Sequence, residues 1–245
     1  MNGLSQSASA PLTADQLLGL DDSHLDTLPD GHRLQGAVAN AFAALCEDAR
    51  KAGFDPAIAS SYRSFDRQLA IYNAKVSGAR TVHDDDGAIV VMEALAPVQQ
   101  LHAILRFSAL PGTSRHHWGT DLDIYDRKAV PAEYAVQLTP QEVSTGGVFD
   151  AFHCWLDERI ALEQSHGFFR PYAVDRGGVS PERWHLSYAP LSQSCDGRLD
   201  AGMLRQAWRV LPGGAELALQ DVVNAELDDL LERYVRVPAD WCPRA

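Results

Sequence analysis

Two short stretches of this chain alternate strictly between apolar and polar residues. Leu122 and Ile124 alternate with Asp121 and Asp123, and Trp184, Leu186 and Tyr188 alternate with His185 and Ser187. Successive side chains on a strand point to opposite faces, so a period of two marks a half-buried strand whose second face is polar. A third segment, Ala57-Ile58-Ala59-Ser60, is strand-like before the chain turns. Between these strands the periodicity is helical. Leu34, Val38, Phe42, Leu45 and Ala49 recur at helical spacing and Gly53 follows as a stop. Ser64 is placed to cap a helix carrying Phe65, Leu69 and Tyr72. A further helix is expected over residues 93–107, with Leu95, Val98, Leu101 and Leu105 inward. Thr139-Pro140-Gln141-Glu142 has capping-box chemistry. A long helix over about residues 148–166 is expected to bury Phe152, Trp155, Leu156 and Ile160, with Gly167 at its C-terminal cap. Helices and antiparallel strands that do not alternate regularly indicate an α+β fold.

Residues 1–33 read as an N-terminal arm and 34–195 as the main domain. Residues 196–245 form a helical extension packed on it, with helical patterns at 200–211 and 215–235 on either side of Pro212-Gly213-Gly214. The stretch from Ser77 to Gly87 is polar and loop-like, ending in Asp84-Asp85-Asp86. A hydrophobic fraction of 46% fills a proper core, and the formal charge is −12, with 33 acidic against 21 basic residues. That balance opposes a nucleic-acid groove, which needs clustered cations, and opposes docking on an anionic membrane. No run of about 18 apolar residues is available to span a bilayer. Cys46, Cys154, Cys195 and Cys242 form no C-x-x-C pair, which excludes a cysteine zinc knuckle. The first residues lack a basic region followed by an apolar one, so a cytoplasmic protein with reduced cysteines is expected, or a periplasmic one if a leader has been removed.

Catalytic zinc takes three protein ligands from His, Asp or Glu and keeps one position open. Two segments supply such groups: Ser114-Arg115-His116-His117-Trp118-Gly119-Thr120-Asp121-Leu122-Asp123 and Glu182-Arg183-Trp184-His185. Singly, each residue also fits a structural role: a hydrogen-bonded histidine, a turn-capping aspartate, a glutamate in a first helical turn.

The first segment reads Ser-x-His-x-x-Gly-x-x-x-Asp, the second reads Glu-x-x-His with Trp before the His, and Ser61-Tyr62-Arg63-Ser64 followed by Gln68 lies upstream. With these elements in this order, residues 34–189 resemble the VanY-type D-alanyl-D-alanine carboxypeptidases, in the group with lysostaphin-like enzymes, D-Ala-D-Ala dipeptidases and hedgehog domains. The resemblance implies a small antiparallel sheet flanked by helices and one Zn2+ held by His116, Asp123 and His185. Glu182 is then the base that later returns its proton to the leaving amine. Arg63 either stabilises the oxyanion or holds a substrate carboxylate, and Gln68, Ser114 and Trp184 face substrate. The implied substrate is a peptidoglycan-derived peptide that loses its C-terminal D-amino acid. The alternatives within this group are a D,D-dipeptidase, an endopeptidase, or a silent zinc-binding module, and residues 77–93 are expected to shape the pocket. The oligomeric state is left open. One departure stands out: Asp121 occupies a position where the family usually has a small residue, and on a strand it shares a face with Asp123. His117 is a second candidate beside His116, but neighbouring residues on an extended chain face opposite sides.

Overall fold

The structure is a computed structural model describing residues 10–209, 211 and 214–238. The first elements among the described residues are helix α1 (Ala14–Leu18) and a short antiparallel pair, β1 (Asp26–Thr27) and β2 (Arg33–Leu34). Then follow α2 (Gly36–Lys51), β3 (Pro56–Ser60), α3 (Phe65–Val76), α4 (Pro97–Leu105) and β4 (Asp121–Asp126). After these come α5 (Pro140–Val143), α6 (Asp150–Ala161), β5 (Phe168–Phe169), β6 (His185–Tyr188), α7 (Ala189–Ser192), α8 (Ala201–Arg209) and α9 (Gln220–Leu230). Among the described residues no helix is long and apolar enough to cross a membrane.

The main sheet is antiparallel in the order β3-β4-β6-β5. Its period-two patterning divides its faces. Ile58, Leu122, Ile124 and Leu186 point to one side, where they share a core with Val38, Phe42 and Leu45 of α2 and Phe152 and Leu156 of α6. Asp121, Asp123, His185 and Ser187 point to the other side, and all four are buried. The register opposes Asp123 to His185 and Asp121 to Ser187 across β4 and β6. A second core joins Leu17 and Leu18 of α1, Phe65 and Leu69 of α3 and Leu101 and Leu105 of α4 to Leu204 and Trp208 of α8 and Leu227 and Leu230 of α9.

Helix α3 begins where the sequence placed it: Ser64 Oγ accepts the Arg67 N–H at 3.2 Å. Other boundaries differ. Leu34 lies in β2 rather than in α2, and α4 is shorter than the 93–107 expectation, with Val98 on its outer face, 37% exposed. Helix α6 ends at Ala161, capped at Leu162 rather than Gly167, because Glu163 and His166 take positive φ and no helix passes through that region. The capping box at 139–142 forms, with Thr139 N–H donating to Glu142 Oε2 at 3.1 Å, but its helix is only four residues long. Cys46, Cys154 and Cys195 are free thiols, and Cys242 lies outside the described residues.

Candidate metal centre

A cleft of about 830 Å³ opens on the polar side of the sheet. Strand β4 brings Asp123 to its floor, and β6 brings His185 beside it in register. His116 arrives from a 3-10 turn, Arg115–Trp118, that ends at Gly119 with φ +66°. That positive φ favours glycine, and a side chain at Gly119 would put Cβ 2.2 Å from Leu25 Cδ2, so the Leu25 side chain would have to move. Arg63 N–H donates to the His116 carbonyl at 3.2 Å, tying the Tyr62–Ser64 segment to the same turn.

The three candidate ligand atoms lie within 4.8 Å of one another. His116 Nε2 is 3.2 Å from Asp123 Oδ2, and His185 Nδ1 is 3.1 Å from Asp123 Oδ1. Atoms bound at about 2.0–2.1 Å to a tetrahedral zinc stand roughly 3.3 Å apart, and each histidine lies near that separation from one of the two Asp123 oxygens. Asp123 Oδ1 is buried without an aligned hydrogen-bond donor, an expensive arrangement unless a cation satisfies it. The residues therefore fit a divalent cation with nitrogen and oxygen ligands.

A buried network supports them. His185 Nε2 donates to Asp121 Oδ1 at 3.0 Å, and Arg115 Nε donates to the same oxygen at 2.8 Å. Thr120 donates to the other Asp121 oxygen, while Arg115 also reaches Ser187 Oγ at 2.8 Å and Asp196 at 2.5 Å. Burial opposes the charge on Asp121, but Arg115 and His185 more than offset it and hold the carboxyl below the usual carboxylate range. Burial likewise opposes a charge on His185, yet Asp121 and Asp123 outweigh it and push the imidazole up to about 10. A positive charge is thus strongly favoured between the two carboxylates.

Glu182 Oε2 is 3.6 Å from His185 Nδ1. Glu182 sits in a turn before β6, its N–H donating to the Tyr172 carbonyl at 3.0 Å. Burial is the main cause lifting its carboxyl to about 7, with Asp123 adding to the effect and His185, Arg63 and Lys75 opposing it. Arg63 lines the cleft, and its guanidinium donates to Gln68 Oε1 at 2.8 Å and to Ser60 Oγ at 3.2 Å. Ser114 and Trp184 also line the cleft, Trp184 packing behind it on Val143 and Phe149.

Gln68 stands elsewhere than the sequence suggested. It is fully buried behind Arg63, with its amide donating to the Ala109 carbonyl at 2.6 Å, so it holds the guanidinium rather than forming cleft wall. His117 has both nitrogens committed: Nε2 accepts from Gly112 N–H at 3.1 Å, so Nδ1 donates to the Arg63 carbonyl at 2.6 Å. Burial drives its pKa down to about 3, so it is a neutral structural histidine. Tyr172 and Lys75 line the cleft without having been singled out from sequence, and Arg80 lines it within the 77–93 segment expected to shape the pocket. The Tyr172 ring meets His185 edge-on at 5.1 Å. It falls within Arg170-Pro171-Tyr172, the turn before the last strand, and that position was its only sequence signal.

A profile of the VanY family, described as D-alanyl-D-alanine carboxypeptidase, matches residues 31–191. A Haemophilus influenzae protein of uncharacterized function is 44% identical over 103 residues, which is 40% of this chain and 70% of that protein. A D-alanyl-D-alanine carboxypeptidase of Enterococcus faecalis is 28% identical over 170 residues, 68% of this chain, and the match spans about half (52%) of that protein. Among solved structures, a variant of the vancomycin-resistance D,D-pentapeptidase VanY in complex with Zn(II) is 25% identical, with a TM-score of 0.50, covering 79% of this chain and 93% of that one.

Proposed function

Because this chain belongs to the VanY family of D-alanyl-D-alanine carboxypeptidases, we propose that it hydrolyses the C-terminal D-amino acid from peptidoglycan-type peptides, with one zinc ion held by His116, Asp123 and His185. The observation that carries this reading is the convergence of three buried ligand atoms within 4.8 Å, with the Glu182 carboxyl 3.6 Å from one of them. The Zn(II) bound by the related pentapeptidase supports the choice of ion. When bound, zinc supplies Lewis-acid activation of water and of the scissile carbonyl.

The chain's own residues do the rest. Glu182, in a buried pocket, takes the proton of the attacking water and returns it to the leaving amine. Arg63, fixed by Gln68 and Ser60, presents its guanidinium to the negative charge that develops on the carbonyl oxygen. Asp121 fixes the tautomer of His185 so that Nδ1 faces the ion. Trp184 and Tyr172 wall the cleft and limit water around the reacting centre.

The test is mass spectrometry of muramyl tripeptide, tetrapeptide and pentapeptide and of free D-Ala-D-Ala, each incubated with zinc-loaded protein. Loss of one terminal D-alanine is expected. Glu182→Ala should keep zinc and lose about 100-fold or more in turnover, the scale of general acid–base catalysis. His185→Ala should lose the metal by elemental analysis. Cleavage of the free dipeptide alone, or of an internal bond alone, would move the enzyme to another activity, and undiminished turnover in Glu182→Ala would remove that residue from the mechanism.

A further inference from the structure

Two cations of the cleft have no part in the chemistry above. Lys75 lies in the last turn of α3, one heptad beyond Gln68 and so on the same side of the helix. The chain then folds back, with Arg80 N–H donating to the Ala74 carbonyl at 2.9 Å, which sets Arg80 over the end of the helix beside Lys75. Both side chains line the same cleft as Arg63 and Glu182.

Neither cation has a hydrogen-bond or salt-bridge partner among the described residues. Lys75 is partly buried, whereas Arg80 is exposed; several partly buried cations elsewhere among the described residues meet carboxylates: Arg106 with Asp85 and Asp175, Arg115 with Asp121, Arg170 with Asp157, Arg183 with Asp150. Glu182 attracts Lys75 but forms no ion pair with it, and Arg63 and Arg80 repel it. Asp84 and Asp86 line the cleft too, but Asp84 is occupied in accepting N–H groups of its own loop, from Asp86 at 3.0 Å and Ala88 at 2.8 Å. A half-buried ammonium with no counter-charge weakens the folded state, and burial together with Arg80 brings the Lys75 pKa down to about 8. In a chain carrying −12 overall, Arg63, Lys75 and Arg80 face a cleft that Asp84, Asp86, Asp123 and Glu182 also line, so these cations offer an anion a local contact on one part of its wall.

We propose that Lys75 and Arg80 form an anion subsite that receives a carboxylate of the peptide substrate, an inference resting on the peptidase reading above. The carboxylate has two available sources: the terminal one of the departing D-amino acid, or one carried by a residue upstream of the scissile bond. Filling the subsite would give Lys75 the counter-charge that the protein does not supply.

Three N-acetylated peptides distinguish these sources: one with Glu before D-Ala-D-Ala, one with Gln there, and the Glu peptide with a C-terminal carboxamide. Zinc-loaded wild type, Lys75→Met and Lys75→Arg would be compared on each. On the preferred peptide, Lys75→Met should lose about tenfold in kcat/KM, mainly through KM, the scale of one charge-assisted contact, and Lys75→Arg should recover most of it. If the upstream carboxylate binds, wild type prefers Glu over Gln and Lys75→Met does not. If the terminal carboxylate binds, wild type discriminates against the carboxamide and Lys75→Met does so much less. Activity within about twofold of wild type on all three peptides would overturn the subsite while leaving the peptidase reading intact. Calorimetric titration with glutarate supplies a readout independent of turnover. Binding about tenfold weaker in Lys75→Met supports the subsite even if no peptide is cleaved, an outcome that would instead sink the peptidase reading. Equal glutarate binding by both proteins overturns the subsite.

Discussion

His185 donates from Nε2 to Asp121, so the nitrogen left for a metal is Nδ1, with its lone pair free. Arg115 and Thr120 in turn fix the Asp121 carboxylate. Asp121→Asn keeps the shape but weakens this orientation, and it should lower zinc affinity by about 10–100-fold, measured by competition with a chromophoric chelator. Lys75 gives a pH prediction. Its folded-state pKa, about 8, lies below the ordinary value of 10.5, so between these values the unfolded chain binds more protons than the folded one. The destabilisation is complete below about pH 8 and fades toward pH 10.5. Lys75→Met should therefore melt at a higher temperature than wild type at pH 7, and the gap should narrow by pH 10, as calorimetry in the two buffers would show. The sequence made the three metal-ligand candidates legible because they sit in short motifs with fixed spacing. Lys75 was illegible because a lysine in the last turn of a helix carries no motif, whereas Arg80 falls in the 77–93 segment expected to shape the pocket. The depth of Gln68 behind Arg63 was not legible because spacing cannot say which side of Arg63 a side chain occupies.

The elements around the centre are held by local chemistry that is open to test. Gly119 ends the His116 turn with positive φ, and a methyl group there would push against the Leu25 side chain. Gly119→Ala should cost at least about 1–3 kcal/mol in stability through backbone strain alone, visible as a lower Tm, and should weaken zinc binding by displacing His116. Amphipathic spacing and the Ser64 cap made α2 and α3 readable from sequence. Helix α1 escaped the reading although its capping box was present: Gln16 N–H donates to Thr13 Oγ1 at 3.2 Å, and Thr13 N–H donates to Gln16 Oε1 at 2.9 Å. A five-residue helix has too few turns for periodicity to register. At α6 the error ran the other way: the composition remains helix-friendly past Ala161, but the helix closes in a left-handed cap at Glu163, whose N–H donates to the Ile160 carbonyl at 3.0 Å while Gln164 N–H donates to the Arg159 carbonyl at 2.8 Å.

At the scale of the molecule, two cores enclose the cleft. One backs the sheet, and the other ties α3 and α4 to helices that follow residue 191, where the family match ends. Trp208 contributes a buried ring and donates Nε1–H to the Pro111 carbonyl at 3.0 Å, just ahead of the His116 turn. Trp208→Ala should cost about 3–5 kcal/mol, read from urea denaturation. The face division of β4 and β6 has a consequence for how such a protein can vary. The same residues set the register for both the core and the metal ligands, so a one-residue insertion in either strand would turn the ligands into the core and the core into the cleft. The segments that form the cleft rim, near residues 80–87 and 137–141, carry none of the ligands and are joined where the Gln141 amide donates to the Asp86 carbonyl at 3.0 Å. Heritable change in length is thus barred from the strands and open to the rim, which lets a lineage exchange one diet of peptides for another while its hydrolytic chemistry stays fixed.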